Sequence, residues 1–468
     1  MTSAEAEIIY HAGLDPVVRK LLDMDQRISD LEGQIAKNSR NSSKPPSSDG
    51  YKKPAPKSLR KKTTRKTGGQ PGHKGSTLKA VDKPDHIKRH HVEACACCGK
   101  TLCNEIPSAI AKRQVFDLPP LRLEVTEHQA ETKVCDCGHI NQAAFPEGVN
   151  APTQYGPGIK VAANYIKFHQ HIPYARACEL LSDLFGAGIS QGTLASMFAE
   201  CASLLKTPVE QIKKQITESL VLHLDETGMR VENKGHWMHT ASTQTATYYQ
   251  IHARRGTVAI DDNGILTRFT GCAVHDHHKP YLTYDCEHAL CNAHHLRELI
   301  FVHEQFKQTW AQEMIDCLLK IKDSVDQTCS IANQLSPQQI KEFEALYQKA
   351  ITRGYAQNPL PPPPKNAKKK PGRTAKTKPR NLLERLDTFR DQTLAFMYDF
   401  KIPFDNNLAE RDLRMIKVQQ KISGTFRTMA GAQTFSSIRS YLSTARKNGI
   451  GAFEALRVLF AGHPFIPS

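Results

Sequence analysis

Residues 219–231 read SLVLHLDETGMRV. Upstream the apolar residues recur at helical spacing, and from here to about residue 288 they follow the period of strands, so the fold class is decided at this point. Val221, Leu222 and Leu224 form an apolar strand that delivers Asp225 to a spot from which the chain is expected to turn away. Asp-Glu-Thr-Gly is also ordinary turn chemistry, which leaves Asp225 open between a turn residue and a deliberately presented carboxylate. Downstream, HWMHTAST (236–243), TYYQIHARR (247–255) and TGCAVHDH (270–277) are short and rich in β-branched or aromatic residues, with the turn signals ENKG and DDNG between them.

TGCAVHDH carries a second short strand ending on Asp276, again where apolar sequence gives way to polar. Two strands that each end in a carboxylate hold those groups side by side if they are neighbours in a sheet. A third acid lies in PFDNNLAERDLRM (403–415). There Asn407 is placed to cap a helix with Glu410 reaching back to the cap amide, while Glu410 is equally placed to be a metal ligand; the local sequence does not choose. Asp225, Asp276 and Glu410 together would make an oxygen cage for Mg²⁺, and two ions about 4 Å apart would activate an attacking water or hydroxyl and stabilise the leaving oxygen.

Around this core the composition marks several regions. The chain has 468 residues and a formal charge of +16, enough length for more than one domain with a sizeable core. Residues 40–80 hold 12 Lys/Arg against one acid, Asp49, and residues 365–380 hold 8 Lys/Arg and no acid. Outside these two Pro-, Gly- and Ser/Thr-rich segments the acids slightly outnumber the bases. Such arms suit phosphate neutralisation and make nucleic acid the leading partner. No apolar run approaches the length of a membrane helix, and MTSAEAEIIYHAGLDP is not a signal segment, so a cytoplasmic, nucleoid-associated protein is expected, with no membrane partner.

Seven regions follow in order. Residues 1–37 carry a coiled-coil-like helix, with Leu14, Val17, Leu21, Met24, Ile28, Leu31 and Ile35 in steps of three and four; Asp15 and Pro16 set its start near Val17. It either dimerises or packs on its own domain. Residues 38–81 form a basic linker without periodicity, in which GGQPGHKG lacks nucleotide-loop spacing. Residues 82–145 are a cysteine module. Residues 150–218 are helical, with two runs split by GAGIS and Ser190 capping the second, a shape that either binds DNA or only packs. Residues 219–288 hold the strands. Residues 289–400 are helical from Ala289, interrupted by Pro361–Pro364 and the basic segment, with a final helix from about Leu382 to Phe400. Residues 401–468 complete the core with helices.

Thirteen cysteines in a chain of this kind point to metal rather than to a disulfide framework. Cys95-Ala-Cys-Cys98-Gly is one zinc knuckle, the glycine letting the backbone turn toward the metal, and Cys135-Asp-Cys137-Gly is the other, giving a structural Zn²⁺ on Cys95, Cys98, Cys135 and Cys137. The second half is shorter than usual, and Cys97, Cys103 or His139 could substitute. The histidines at 275, 277, 278, 288, 294 and 295, with Cys286 and Cys291, also admit zinc, but their mixed spacing and a helix at CNAHHLREL favour hydrogen bonding or packing.

Taken in order, NSRNSSKPPSSD, GGQPGHKG, CACCG, HLDETGMRV, VHDHHKPY, HALCNAHHLREL and IPFDNNLAERDLRMIKVQQKISGTFRT resemble the transposases of the insertion-sequence-66 group over nearly the whole chain. That resemblance implies a multidomain α/β protein with a ribonuclease-H-like catalytic core of the Asp-Asp-Glu type, the triad falling on Asp225, Asp276 and Glu410. It also implies an all-helical insertion between the second acid and the glutamate. The Cys-x-x-His element at Cys291 and His294 is similar to one at this place in several such enzymes, implying support of the site or its DNA contacts. His277 and His278 depart from the glycine and aromatic expected after the second acid. The function implied is metal-dependent cleavage at transposon ends and strand transfer into target DNA, by a homo-oligomer with accessory proteins encoded by the same element as further partners. Arg411 and Arg414, just past Glu410, would contact phosphates, a role that a solvated helix face competes with. A non-catalytic zinc-ribbon DNA-binding protein, or a nuclease without strand transfer, would share most of these features.

Overall fold

The computed structural model describes residues 2–42, 72, 75, 77–119, 121–360 and 376–467. Most of the basic linker, Pro361–Pro364 and most of the second basic segment lie outside the described residues. Those described make a mixed α/β protein with more helix than strand, organised on one five-stranded sheet.

Two N-terminal helices, α1 (Ser3–His11) and α2 (Leu14–Ile35), precede a small hairpin of β1 (Thr132–Val134) and β2 (Ile140–Gln142). Helix α2 begins at Leu14 behind Gly13, three residues before the expected start at Val17; Asp15 and Pro16 lie inside its first turn, where proline's missing N–H has no intrahelical partner to lose. Then come α3 (Pro157–Asn164), a π-helical turn (Tyr165–His169), α4 (Tyr174–Phe185), α5 (Gln191–Leu204) and α6 (Lys206–Thr217). Ser190 caps α5, its hydroxyl accepting from the Thr193 amide at 3.1 Å.

The sheet follows: β3 (Val221–Val231), β4 (Lys234–Ser242), β5 (Thr247–His252), then the short helix α7 (Thr257–Asn263), β6 (Cys272–His275) and β7 (Glu287–Leu290). Its order is β5-β4-β3-β6-β7, antiparallel from β5 to β3 and parallel from β3 to β7. Three expectations change here. Asp-Glu-Thr-Gly is not a turn: β3 runs through it, because β4 supplies a backbone partner for every residue from His223 to Val231, with Gly228 opposite Trp237. The chain reverses instead at Glu232 and Asn233 in the ENKG signal, both at positive φ (52° and 62°), as a type I′ hairpin requires. DDNG closes α7 rather than joining strands, with Gly264 in the left-handed region. Ala289 and Leu290 belong to β7, since its parallel pairing with β6 claims them before the helix starts.

A helical unit is inserted after β7: α8 (Asn292–Phe306), α9 (Thr309–Thr328), α10 (Pro337–Gln357), α11 (Lys378–Thr388) and α12 (Arg390–Tyr398). The single helix expected from Leu382 to Phe400 is two helices broken at Phe389 (φ −110°, ψ 39°). This unit has its own core around Trp310, Tyr347, Leu318 and Leu383. The chain then returns to the sheet with α13 (Asn407–Ser423), α14 (Met429–Lys447) and α15 (Ala452–Phe460), which share a core with β3–β5 and α3–α6.

Two details fix this return. Edge strand β5 would leave alternate amides unpaired, and α14 covers them: Thr247 N–H donates to Thr444 Oγ1 (3.0 Å) and Tyr249 N–H to Ser440 Oγ (2.9 Å), two hydroxyls one helical turn apart. Lys447, at the end of α14, donates to Asp412 Oδ2 of α13 (2.8 Å) and to the carbonyls of Thr243 and Ala246. At the start of β6, Gly271 has no room for a side chain, because a Cβ would collide with the Leu220 carbonyl and the Phe269 ring; that close approach lets β6 lie beside β3. Among the described residues no helix is long and apolar enough to cross a membrane.

Candidate active site on two parallel strands

β3 and β6 run parallel with His223 opposite Val274. Two residues further on, Asp225 and Asp276 occupy equivalent positions, and a period of two puts their side chains on the same face. Asp225 is held well above the usual carboxylate range, first by burial, then by the neighbouring charges of Glu226 and Asp276, with a further contribution from Glu410 and partial relief from the Glu226 amide. The three acids therefore lie within electrostatic reach of one another, although Glu410 arrives from a helix 134 residues beyond Asp276.

Glu226, the fourth acid nearby, is already committed. It accepts from the Tyr281 hydroxyl (2.5 Å) and from Arg255 Nε (2.7 Å), and the Arg255 guanidinium sits over the Trp237 ring at 4.8 Å. Lys417 of α13 donates to the Gly228 carbonyl (3.2 Å); burial lowers its pKa and the charge of Asp225 partly restores it, so a cation stands close to that carboxylate.

Glu410 lies in the first turn of α13, but the expected capping box is absent. The N-cap is Asn406, one residue before Asn407, and its side chain makes no cap bond. Asn406 is instead spent on tertiary contacts: Oδ1 meets His223 Nδ1 (2.9 Å), Nδ2 donates to the Leu224 carbonyl (2.7 Å), and its amide donates to Cys291 Sγ (3.1 Å). One buried residue thus ties the strand just before Asp225, the head of α8 and the turn that carries Glu410. Sequence reading missed it; its signal was the doubled asparagine in FDNN, where a cap needs only one.

Glu410 Oε2 is 3.8 Å from Arg297 Nη2, and Oε1 is 3.9 Å from His294 Nδ1, both beyond hydrogen-bond distance; Oε1 and Nδ1 are buried without a hydrogen-bond partner. Burial, followed by Arg297, lowers the pKa of His294, opposed by Glu410. An all-oxygen set of carboxylates, one of them buried and resisting ionisation and one with an unpartnered oxygen, fits a hard divalent cation such as Mg²⁺. Arg411 and Arg414 are exposed on α13, Arg411 Nε folding back on the Asn407 carbonyl at 3.3 Å.

Of the other histidines, His275 and His277 are each pushed down to about 4, mainly by burial; His275 bonds to His288 (3.1 Å), and His277 packs edge-on against Phe389. His295 bonds to Asn292 (3.2 Å). These are the hydrogen-bonding and packing roles expected of them.

Both cysteine knuckles form the local turn expected. Cys95 N–H donates to the Lys100 carbonyl (2.8 Å) and Gly99 N–H to the Cys95 carbonyl (2.9 Å); Cys135 and Gly138 repeat the pattern with His139 (2.9 and 2.7 Å), and both glycines have positive φ. The Cys95 thiol is lowered by hydrogen bonds from Cys98 and Cys97, and the Cys135 thiol by those from Cys137. The two halves are not gathered into one site. Among the described residues, the only group of three or more His, Cys, Asp or Glu donors within 4.8 Å of one another is Cys291, His294 and Glu410. The three carboxylates likewise do not offer one oxygen each within that distance.

The chain is a transposase by family. The model of the Transposase IS66 family matches residues 152–434, more than half of the chain, and the chain belongs to that family. A second match, over residues 4–79, is to a family of unknown function. No curated protein matches the chain. Membership implies binding to DNA.

Proposed function

We propose that this transposase cuts DNA at the ends of its element and joins the freed 3′-hydroxyl to target DNA, on a ribonuclease-H-like core of the Asp-Asp-Glu type. Asp225, Asp276 and Glu410 would hold Mg²⁺, probed as two ions, and when bound these supply activation of the attacking oxygen and stabilisation of the leaving one. The observation that carries this reading is the register of β3 and β6, which sets Asp225, within β3, level with Asp276, just past the end of β6, with Glu410 close enough to raise Asp225.

The chain's own residues orient the parts. Glu226 is ion-paired with Arg255 and hydrogen-bonded by Tyr281, which keeps its oxygens from competing for the cation. Asn406 aligns the turn of Glu410 with the strand of Asp225. Arg411 and Arg414 face solvent on the same helix, where they would bind phosphates of the strand being cut. A structural zinc on Cys95, Cys98, Cys135 and Cys137 would draw the two knuckles of 82–145 together, and that segment with the helices of 150–218 would grip the ends, with the basic segments adding sequence-independent affinity. The helices from Asn292 to Tyr398 are the insertion, and 219–290 with 401–468 the catalytic core; the active form is a homo-oligomer, served by accessory proteins of the same element.

The test is incubation of the purified protein with DNA carrying the element's own ends in Mg²⁺, wild type against Glu410→Gln, both checked for equal melting. Gln keeps the shape and loses the charge. Cleaved and joined products from wild type, with the variant bound but inert, are expected. Cleavage by the variant would remove Glu410 from the site, and cut but unjoined DNA from wild type would make the protein a nuclease.

A further inference from the structure

We propose that Cys291, His294 and Glu410 form a three-ligand site for a thiophilic divalent cation of the zinc class, and that filling it draws Glu410 away from the magnesium site. The second half rests on the reading of Glu410 given above.

The geometry comes first. One donor atom from each residue lies within 4.8 Å of the other two, with His294 Nδ1 and Glu410 Oε1 3.9 Å apart. Around a tetrahedral zinc with bonds of about 2.0–2.3 Å, donors stand roughly 3.3–3.8 Å from each other, so small side-chain rotations close the set and leave a fourth position open. The second observation is independent of proximity. His294 Nδ1 and Glu410 Oε1 are buried, face each other and have no hydrogen-bond partner. Two unpartnered buried groups at that spacing are unfavourable, and a cation between them satisfies both.

Local structure supports the soft ligand. Cys291 is the N-cap of α8, and its sulfur already accepts the Asn406 amide at 3.1 Å; burial pushes the thiol up and that amide partly offsets it, so a bound cation would supply the charge a thiolate needs there. Cys-x-x-His puts its two donors on the first turn of one helix, while Glu410 arrives on another. The Glu410 and His294 side chains are each 21% exposed, so a cation has a way in, and Arg297 lies nearer Oε2, leaving Oε1 for the metal. Sulfur and imidazole select zinc over magnesium, whereas Asp225 and Asp276 offer only oxygen. On binding, the thiol proton leaves to solvent as the sulfur–metal bond forms. Glu410 is the one member common to both donor sets.

The probe is Co²⁺, titrated into full-length wild type, Cys291→Ser and His294→Gln, each compared for melting. The cysteine knuckles are the same in all three, so their signal cancels in the difference. The expected result is about one extra cobalt per chain in wild type, with thiolate-to-cobalt absorption that Zn²⁺ displaces and Mg²⁺ does not. Identical titrations in wild type and both variants overturn the site. Cleavage in Mg²⁺ with added Zn²⁺ then tests the coupling, each protein being scored against its own zinc-free rate: the inhibitory zinc concentration should rise at least tenfold in both variants. A cobalt difference with unchanged zinc inhibition keeps the site and overturns the withdrawal of Glu410. If Glu410→Gln still cleaves, the magnesium reading fails, while the cobalt titration continues to judge the cation site.

Discussion

The sheet with its returning helices and the cysteine segment over residues 77–149 are held together in opposite ways. In the first, Leu222, Ala273 and Val274 are fully buried and contacts join parts of the chain far apart in sequence. In the second, Ile87, Ile110, Val115 and Val125 are mostly exposed, and the ordered features are turns closed within a few residues. A buried core keeps its shape without a ligand; for a segment that buries so little, the proposed zinc would supply what the core does not. The proposed DNA chemistry is divided accordingly, with bond breaking assigned to the rigid part and recognition to the part proposed to bind zinc.

Removing metal should separate the two regions most sharply. A strong zinc chelator is expected to open residues 77–149 to limited proteolysis while 221–290 stays resistant; equal resistance before and after would take zinc away from the knuckles. Next in size, Leu222→Ala should cost about 2–5 kcal/mol in denaturant unfolding, against less than about 0.5 kcal/mol for Val125→Ala, because only the first leaves a cavity. A comparable cost for Val125→Ala would mean that the segment has a core of its own.

Asn406→Ala probes the join at the candidate site. It leaves His223 Nδ1 and the Leu224 carbonyl unpaired, a cost of about 1–3 kcal/mol, and should raise the Mg²⁺ needed for cleavage by about tenfold or more. Lost stability with an unchanged magnesium requirement would reduce Asn406 to a packing residue.

The smallest effect concerns His171, buried beside Phe435 and pushed down to about 4 by burial and then by Arg439. Its folded pKa lies below the ordinary 6.5, so the unfolded chain takes up the proton first as pH falls. Stability should therefore decline from about pH 6.5 down to about 4, and His171→Leu should flatten that slope in thermal melts. An unchanged slope would assign the acid sensitivity elsewhere.

Much of the fold was legible because the signals are local. The period change at Ser219, the ENKG hairpin, the Ser190 cap and the helical unit after β7 follow from side-chain spacing and turn chemistry over a few residues. Misreadings occur where a tertiary partner overrules a local preference. Asp-Glu-Thr-Gly looks like a turn until β4 pairs with it, Ala289 looks helical until β6 claims it, and Asn407 looks like a cap until the neighbouring asparagine is drawn into the core. Asp276 just past a strand and Glu410 at a helix start sit where local pattern put them, whereas Asp225 falls inside β3; Glu226, Arg297 and Lys417 carried no sequence signal, since their roles come from neighbours in space.

By itself the sequence determined the order of helical and strand segments, both knuckle turns and the basic arms, all consequences of period, turn residues and charge. Tertiary structure alone decided that β3 and β6 are neighbours, that Glu226 is paired with Arg255, that Asn406 joins His223 to Cys291, and that Glu410 comes within electrostatic reach of Asp225 and beside a Cys-x-x-His pair. The reason is physical. A hydrophobic pattern fixes which face of an element is buried but not what covers it, and the bond from Asn406 to His223 spans 183 residues.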